Sequence, residues 1–144
     1  MEQIHYYEVD LNWNKGRKGK LTSPVLNDSI ECATPPEFVN GIEGIWSPEH
    51  LFAAAINSCF MATFLAVAEN FKIEFSKFQC NTICKLEKVE GKFIITQAVI
   101  KPTVKLKEKE KQSDKLMRVL DKSKAACLVT NSIRTEIELI PIIE

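Results

Sequence analysis

The sequence predicts an α+β fold, on three observations. Strand-like alternation brackets a single long apolar segment from Leu51 to Ala68. That segment opens with a strong helix-start signal at Ser47-Pro48-Glu49. The elements follow the order strands, long helix, hairpin, helices, strand, which lacks the regular β–α repeat of a doubly wound parallel sheet. At 144 residues the chain fits one domain, 1–144, with room for a sizeable core.

Residues 4–33 read as strands joined by turns. Tyr6 to Leu11 has mixed alternation, and His5 reads as an exposed strand residue. Asn14 to Gly19 reads as a turn, since two glycines sit among polar residues. Residues 21–33 return as further short strands, and residues 34–46 read as a loop rich in Pro and Gly. Ser47 then suits an N-cap, Pro48 the first helical position, and Glu49 the positive end of the helix dipole.

From Leu51 to Ala68 no residue is charged. The stretch touches the lower limit of about 18 residues for a membrane span. It is rich in Ala rather than Leu or Ile, and its flanks do not resemble membrane anchors. A helix buried on every side fits better. One small domain covers about one face of such a helix with a sheet, so the other face calls for a second copy of the chain. A homodimer is the expectation.

Residues 73–90 alternate as a strand, Glu90-Gly91-Lys92 turns the chain, and Phe93 to Ile100 runs back. Lys105 to Lys111 reads as a solvated helix start, continued by Leu116, Val119 and Leu120. Ala125 to Ser132 reads as a short helix or turn, and Ile133 to Ile143 as a closing strand.

Composition excludes several functions. Lys plus Arg and Asp plus Glu are 19 each, so no basic surplus argues for nucleic acid. The first residues lack a basic start followed by an apolar run, and a cytoplasmic location with no membrane partner is the expectation. Two histidines, His5 and His50, form no metal motif, and no phosphate loop or serine nucleophile elbow is present.

Five cysteines remain: Cys32, Cys59, Cys80, Cys84 and Cys127. An odd number argues against a disulfide framework and for free thiols, each most simply a small buried hydrophobe. Cys80 and Cys84 share one face of a strand about 13 Å apart, too far for a disulfide or a common zinc, and read as fillers. Cys59 lies mid-helix, where the dipole gives no help and an apolar setting makes a thiol inert. To react it needs a cation, with Arg17 the first candidate and Arg118 and Arg134 behind it. Glu49 precedes Cys59 by about 15 Å along a straight helix. In a symmetric dimer it could approach the other chain's Cys59, although an acidic residue belongs at a helix start anyway. Cys127, among apolar neighbours, reads most simply as a core residue, and its separation from Cys59 says nothing about whether the two thiols meet.

Three segments together resemble the OsmC/Ohr family of bacterial peroxide-detoxifying proteins. Ser47-Pro48-Glu49 leading after ten residues to Cys59 resembles the family's central helix. Ala126 to Ser132 resembles its second-cysteine segment, and Gly16-Arg17-Lys18-Gly19 is similar to the arginine loop of the organic hydroperoxide resistance branch. The resemblance implies an intertwined homodimer, with antiparallel sheets packed on a long buried central helix. It implies a peroxiredoxin-like thiol peroxidase, an antioxidant and stress-response enzyme that reduces organic hydroperoxides and, in some members, hydrogen peroxide. Carried onto matching positions, Cys59 is the peroxidatic nucleophile and Cys127 the resolving thiol. Arg17 activates the thiolate and binds peroxide, and Glu49 positions the arginine. No cofactor is bound. The implied reductant is an external dithiol, typically a dihydrolipoyl group on a lipoylated protein. The chain departs from many relatives in having Leu128 rather than Pro after Cys127. The alternative is a non-catalytic protein of the same fold, holding a small apolar ligand at the dimer interface beside an inert Cys59.

Overall fold

The computed structural model describes residues 3–144; the first two residues of the leader reading, Met1 and Glu2, lie outside the described residues. The chain divides into two compact units, Met1–Leu51 and Phe52–Glu144.

The first unit holds a three-stranded antiparallel sheet in the order β1 (Asp10–Lys15), β2 (Lys18–Thr22), β3 (Ile30–Ala33). Its first turn is tighter than the sequence suggested. Only Gly16-Arg17 turns, and Gly16 takes φ +56, a conformation glycine adopts without a steric cost. The expected strand at Tyr6 is absent, and β1 begins at Asp10, which pairs with Thr22. The partner strand ends there in the Ser23–Leu26 turn, so residues before Asp10 have nothing in this sheet to pair with. Tyr6, Tyr7 and His5 are exposed and outside any strand. Residues 34–46 form the expected loop. It closes on itself at Gly41, where an added Cβ would sit 1.9 Å from the Pro35 carbonyl oxygen. It returns to the sheet where the Ala33 N–H donates to the Trp46 carbonyl at 2.9 Å.

Helix α1 (Pro48–Asn70) carries the chain into the second unit. It begins where predicted, with the Ser47 hydroxyl accepting the His50 N–H at 3.1 Å, an N-cap bond. By length and composition α1 could cross a membrane, but here it is the core helix of the second unit. Ile56, Phe60, Phe64 and Ala68, four residues apart, form one fully covered face. Phe64 stacks on Phe78 at 4.7 Å and meets Phe75 edge-on. Met61 and Leu65, on another face, remain 43% and 42% exposed. Within one chain, then, α1 is not buried on every side.

The sheet beneath it joins β4 (Phe75–Val89), β5 (Lys92–Leu106), β6 (Glu136–Leu139) and β7 (Ile142–Ile143). Its long hairpin turns on Glu90-Gly91 alone, both at positive φ, the arrangement that matches strand twist. β6 and β7 run parallel to β5, so this sheet is mixed rather than antiparallel as expected. β5 also runs farther than predicted, through Pro102 to Leu106. Proline lacks the N–H a central strand needs. The parallel ladder, however, is interrupted at that point, between the Ile100–Leu139 and Thr103–Ile142 pairs. Lys105 is therefore strand, opposite Lys77, and not a helix start. Helix α2 begins at Lys109 and ends at Ala126, followed by the single turn of α3 (Leu128–Asn131).

Candidate active site

The second unit brings two of the expected thiols together. Cys59 projects from the middle of α1 and is half-buried, whereas Cys127, between α2 and α3, is fully buried. Cys127 is close enough to Cys59 to be among the groups that lower its pKa. Both are free thiols in this structure.

Local folding explains the contact. Phe60, adjacent to Cys59 and fully buried, fixes how α1 is rotated on the sheet. Asn57 adds a polar anchor by accepting the Thr82 hydroxyl at 2.7 Å. On the other side, the chain leaves the α-helical conformation at Cys127 (φ −66, ψ 113) and re-enters it at Leu128. Asn131 ties this corner by donating its side-chain amide to the Ala125 carbonyl at 3.0 Å, and Thr130 by donating its hydroxyl to the Cys127 carbonyl at 3.2 Å. Val129 packs against the core cluster. The first N–H groups of a helix have no acceptor inside it, and the backbone at Val129 and Leu128 is among the neighbours that lower the Cys59 pKa.

These contacts set the acidity of Cys59. Burial raises the thiol, but the Val129 N–H, the Cys127 thiol, the Thr63 hydroxyl and the Leu128 N–H outweigh it. The net effect is a pKa below the ordinary thiol value of 9.0. Thr63 reaches the sulfur because it lies four residues along α1, on the same face, with Oγ1 4.0 Å from Sγ. The donors named here are neutral, although the sequence reading had asked for a cation.

The other thiols contrast with it. Cys84 is pushed up by burial, and Cys80 is pushed up by burial to about 11 with only a Thr82 hydrogen bond opposing. Both sit on β4 against the core as the strand pattern predicted.

Arg17 and Glu49 belong to the first unit. Arg17 is the second turn residue of the β1–β2 hairpin and lines a cavity of about 280 Å³ with Leu11, Trp13, Cys32 and Pro48. Glu49 sits in the first turn of α1, and its Oε1 is buried with no hydrogen-bond partner among the described residues. His50 bonds the buried Ser47 hydroxyl through Nδ1 at 2.6 Å and meets Trp46 edge-on, a polar helix entrance as expected. In the second unit Arg134 lines a cavity of about 550 Å³ with Phe52, Ile94 and Ile133. Arg118 is exposed on α2. No cluster of three or more metal-ligating side chains occurs among the described residues.

Sequence reasoning missed Thr63 and the two amides. Thr63 carried a legible signal, a hydroxyl four residues from the cysteine on an otherwise apolar helix. The amides carried none, because separations of 69 and 70 residues from Cys59 say nothing about proximity.

Two sheets and one long apolar helix define an α+β protein, with Cys59 and Cys127 as neighbouring thiols in its second unit. The chain belongs to the OsmC-like protein family, whose model matches residues 41–140. Solved structures agree on the fold. An OsmC-like protein of unknown function from Vibrio cholerae superposes with a TM-score of 0.88 at 22% identity, over 96% of this chain and 100% of its own. An organic hydroperoxide resistance protein from Elizabethkingia anophelis gives 0.75 at 22% identity, over 100% and 99%. The organic hydroperoxide resistance protein OhrB of Bacillus subtilis gives 0.66 at 20% identity, over 97% and 98%. Among curated proteins none matches in sequence.

Proposed function

We propose that this protein is a thiol-dependent peroxidase that reduces organic hydroperoxides, with hydrogen peroxide as a further candidate substrate, through Cys59 and Cys127. The observation that carries this reading is the closeness of the two thiols, with Cys127, Thr63 and the backbone at Val129 and Leu128 lowering the Cys59 pKa against burial. The nucleophile must be a thiolate that peroxide can reach. Cys59 is half-exposed and acidified, whereas Cys127 is fully buried, which favours Cys59 as nucleophile and Cys127 as resolver.

The chemistry runs in three steps. The Cys59 thiolate attacks the distal peroxide oxygen, the O–O bond breaks, and an alkoxide leaves and takes up a proton as alcohol. Cys59 is then a sulfenic acid. The Cys127 sulfur attacks it, forming the disulfide and releasing water. An external dithiol, of the dihydrolipoyl class on a lipoylated protein or free, reduces the disulfide by exchange.

Arg17 is assigned to bind the peroxide and Glu49 to position that arginine, within a homodimer. Two observations support this. The unpartnered, buried Glu49 Oε1 favours a cation against it. Met61 and Leu65 leave an apolar helix face for a second copy to cover. A cytoplasmic setting, where glutathione and thioredoxin keep thiols reduced, fits the five free cysteines. The ligand-binding reading requires an inert Cys59, and its lowered pKa disfavours that.

The test is consumption of cumene hydroperoxide by wild type and by Cys59→Ser, each supplied in turn with dihydrolipoamide, thioredoxin and glutathione. The reading expects turnover with the dithiols and none in the variant. Equal rates for the two proteins would refute it.

A further inference from the structure

The unit that holds the thiols also contains a cavity of about 550 Å³ that the thiol chemistry does not use. Its apolar walls are Phe52 from the start of α1, Ile94 and Ile95 from the start of β5, and Ile133 from the segment after α3. Phe52 precedes Cys59 by seven residues, about 10 Å along α1. Arg134 lines the same cavity and is exposed. Among the described residues its guanidinium has neither an ion pair nor a side-chain hydrogen bond. We infer that this cavity is a binding site for a small apolar monocarboxylate, with its hydrocarbon part against Phe52 and the isoleucines and its carboxylate on Arg134. The site stands independently of the peroxidase reading.

The volume falls within the range of small-molecule sites, and apolar walls with one charged group are their usual make-up. The hydroxyls of the lining are already engaged. Ser132 donates to the Leu128 carbonyl at 2.7 Å, Thr135 to the Ile95 carbonyl at 3.0 Å, and Thr96 to the Glu87 carboxylate at 2.5 Å. Their hydrogens are not offered to a ligand, so the charge of a ligand falls to Arg134. One guanidinium presents a planar fork that matches one carboxylate. A phosphate would keep oxygens without donors there.

The surroundings permit an anion. Glu87 lies opposite Ile94 on β4, but Lys85 Nζ at 3.3 Å and the Thr96 hydroxyl answer its charge locally. The chain carries no net charge, so attraction to an anion has to come from a local group such as Arg134. The walls are also held without a ligand. Phe52 and Ile133 pack against the core cluster, and the Thr135 bond ties the segment after α3 to β5. A preformed cavity loses little freedom on binding.

The experiment is a titration of the ¹⁵N-labelled protein with octanoate, octanol and inorganic phosphate, followed by amide chemical shifts. Wild type should bind octanoate, with the shifts centred on Ile94, Ile95 and Ile133, and should bind octanol more weakly. Arg134→Gln should weaken octanoate about fivefold, the upper end for an ion pair that solvent still reaches, and leave octanol unchanged. Ile94→Ser should weaken both. Arg134 has no partner and Ile94 is 43% exposed, so both variants should keep the wild-type amide spectrum elsewhere. Equal affinity of wild type and Arg134→Gln for octanoate would overturn the inference. So would no shift with octanoate, shifts centred on Met61 and Leu65 instead, or phosphate moving the same amides as strongly as octanoate.

Discussion

Cys59 and Cys80 belong to the same unit and are both half-buried, yet their acidities move in opposite directions. Burial raises both. At Cys80 one threonine hydroxyl opposes it and loses, and the thiol rises to about 11. At Cys59 two amides, a hydroxyl and a thiol oppose it and win. The difference teaches that hydrogen-bonding neighbours decide which partly buried cysteine is the more acidic. A strand supplies few of them, because its N–H groups are engaged in the ladder. A helix start left free beside the sulfur supplies two.

The largest way to break this contrast is to let α1 turn. Phe60 and Phe64 hold its orientation, and Phe60→Ala should cost about 3–5 kcal/mol by loss of a fully buried aromatic ring. Urea unfolding would read the loss. The same variant should slow Cys59 labelling toward that of Cys80, because the sulfur no longer faces α3 squarely.

A smaller effect is the labelling ratio in the intact protein. With Cys80 at about 11 and Cys59 below 9.0, the thiolate fractions at pH 7 differ by about a hundredfold or more. Weaker nucleophilicity of the more acidic sulfur offsets roughly tenfold of that. Cys59 should therefore label at least about ten times faster than Cys80 by peptide mapping. Equal rates would mean that the donors do not act.

The smallest is a difference in stability with pH. Cys80 ionises less readily folded than unfolded, so its contribution is fully present below pH 9.0 and fades as pH rises toward about 11. Cys59 is the reverse: its contribution is present above pH 9.0 and fades as pH falls through its lowered pKa. Wild type should thus lose stability relative to Cys80→Ala between pH 9 and 11, and relative to Cys59→Ser as pH falls below 9. Chemical denaturation across that range would sharpen the comparison.

Much of this molecule could be read in its sequence, for local reasons. Ser47-Pro48 set the helix start, and Glu90-Gly91 set the hairpin, because caps and tight turns depend on a few adjacent residues. Strand ends were harder, because they depend on partners. Tyr6 has the composition of a strand residue, but β2 ends before it can pair. Pro102 reads as a strand breaker, and only a gap in the parallel ladder allows β5 to pass through it. The parallel direction of β6 depends on how α2 and α3 return the chain, which no local pattern states. The two cysteines were legible as candidates, and the resemblance supplied their pairing. Of the groups that lower the Cys59 pKa, Thr63 left a local signal four residues away, whereas the backbone at Leu128 and Val129, distant in sequence, left none.

The most direct measurement is a peroxide titration read by peptide mapping. One equivalent of cumene hydroperoxide should consume two thiols per chain and join the Cys59 and Cys127 peptides, leaving Cys32, Cys80 and Cys84 free. Recovery of both Cys59 and Cys127 as free thiols after that equivalent would contradict the account.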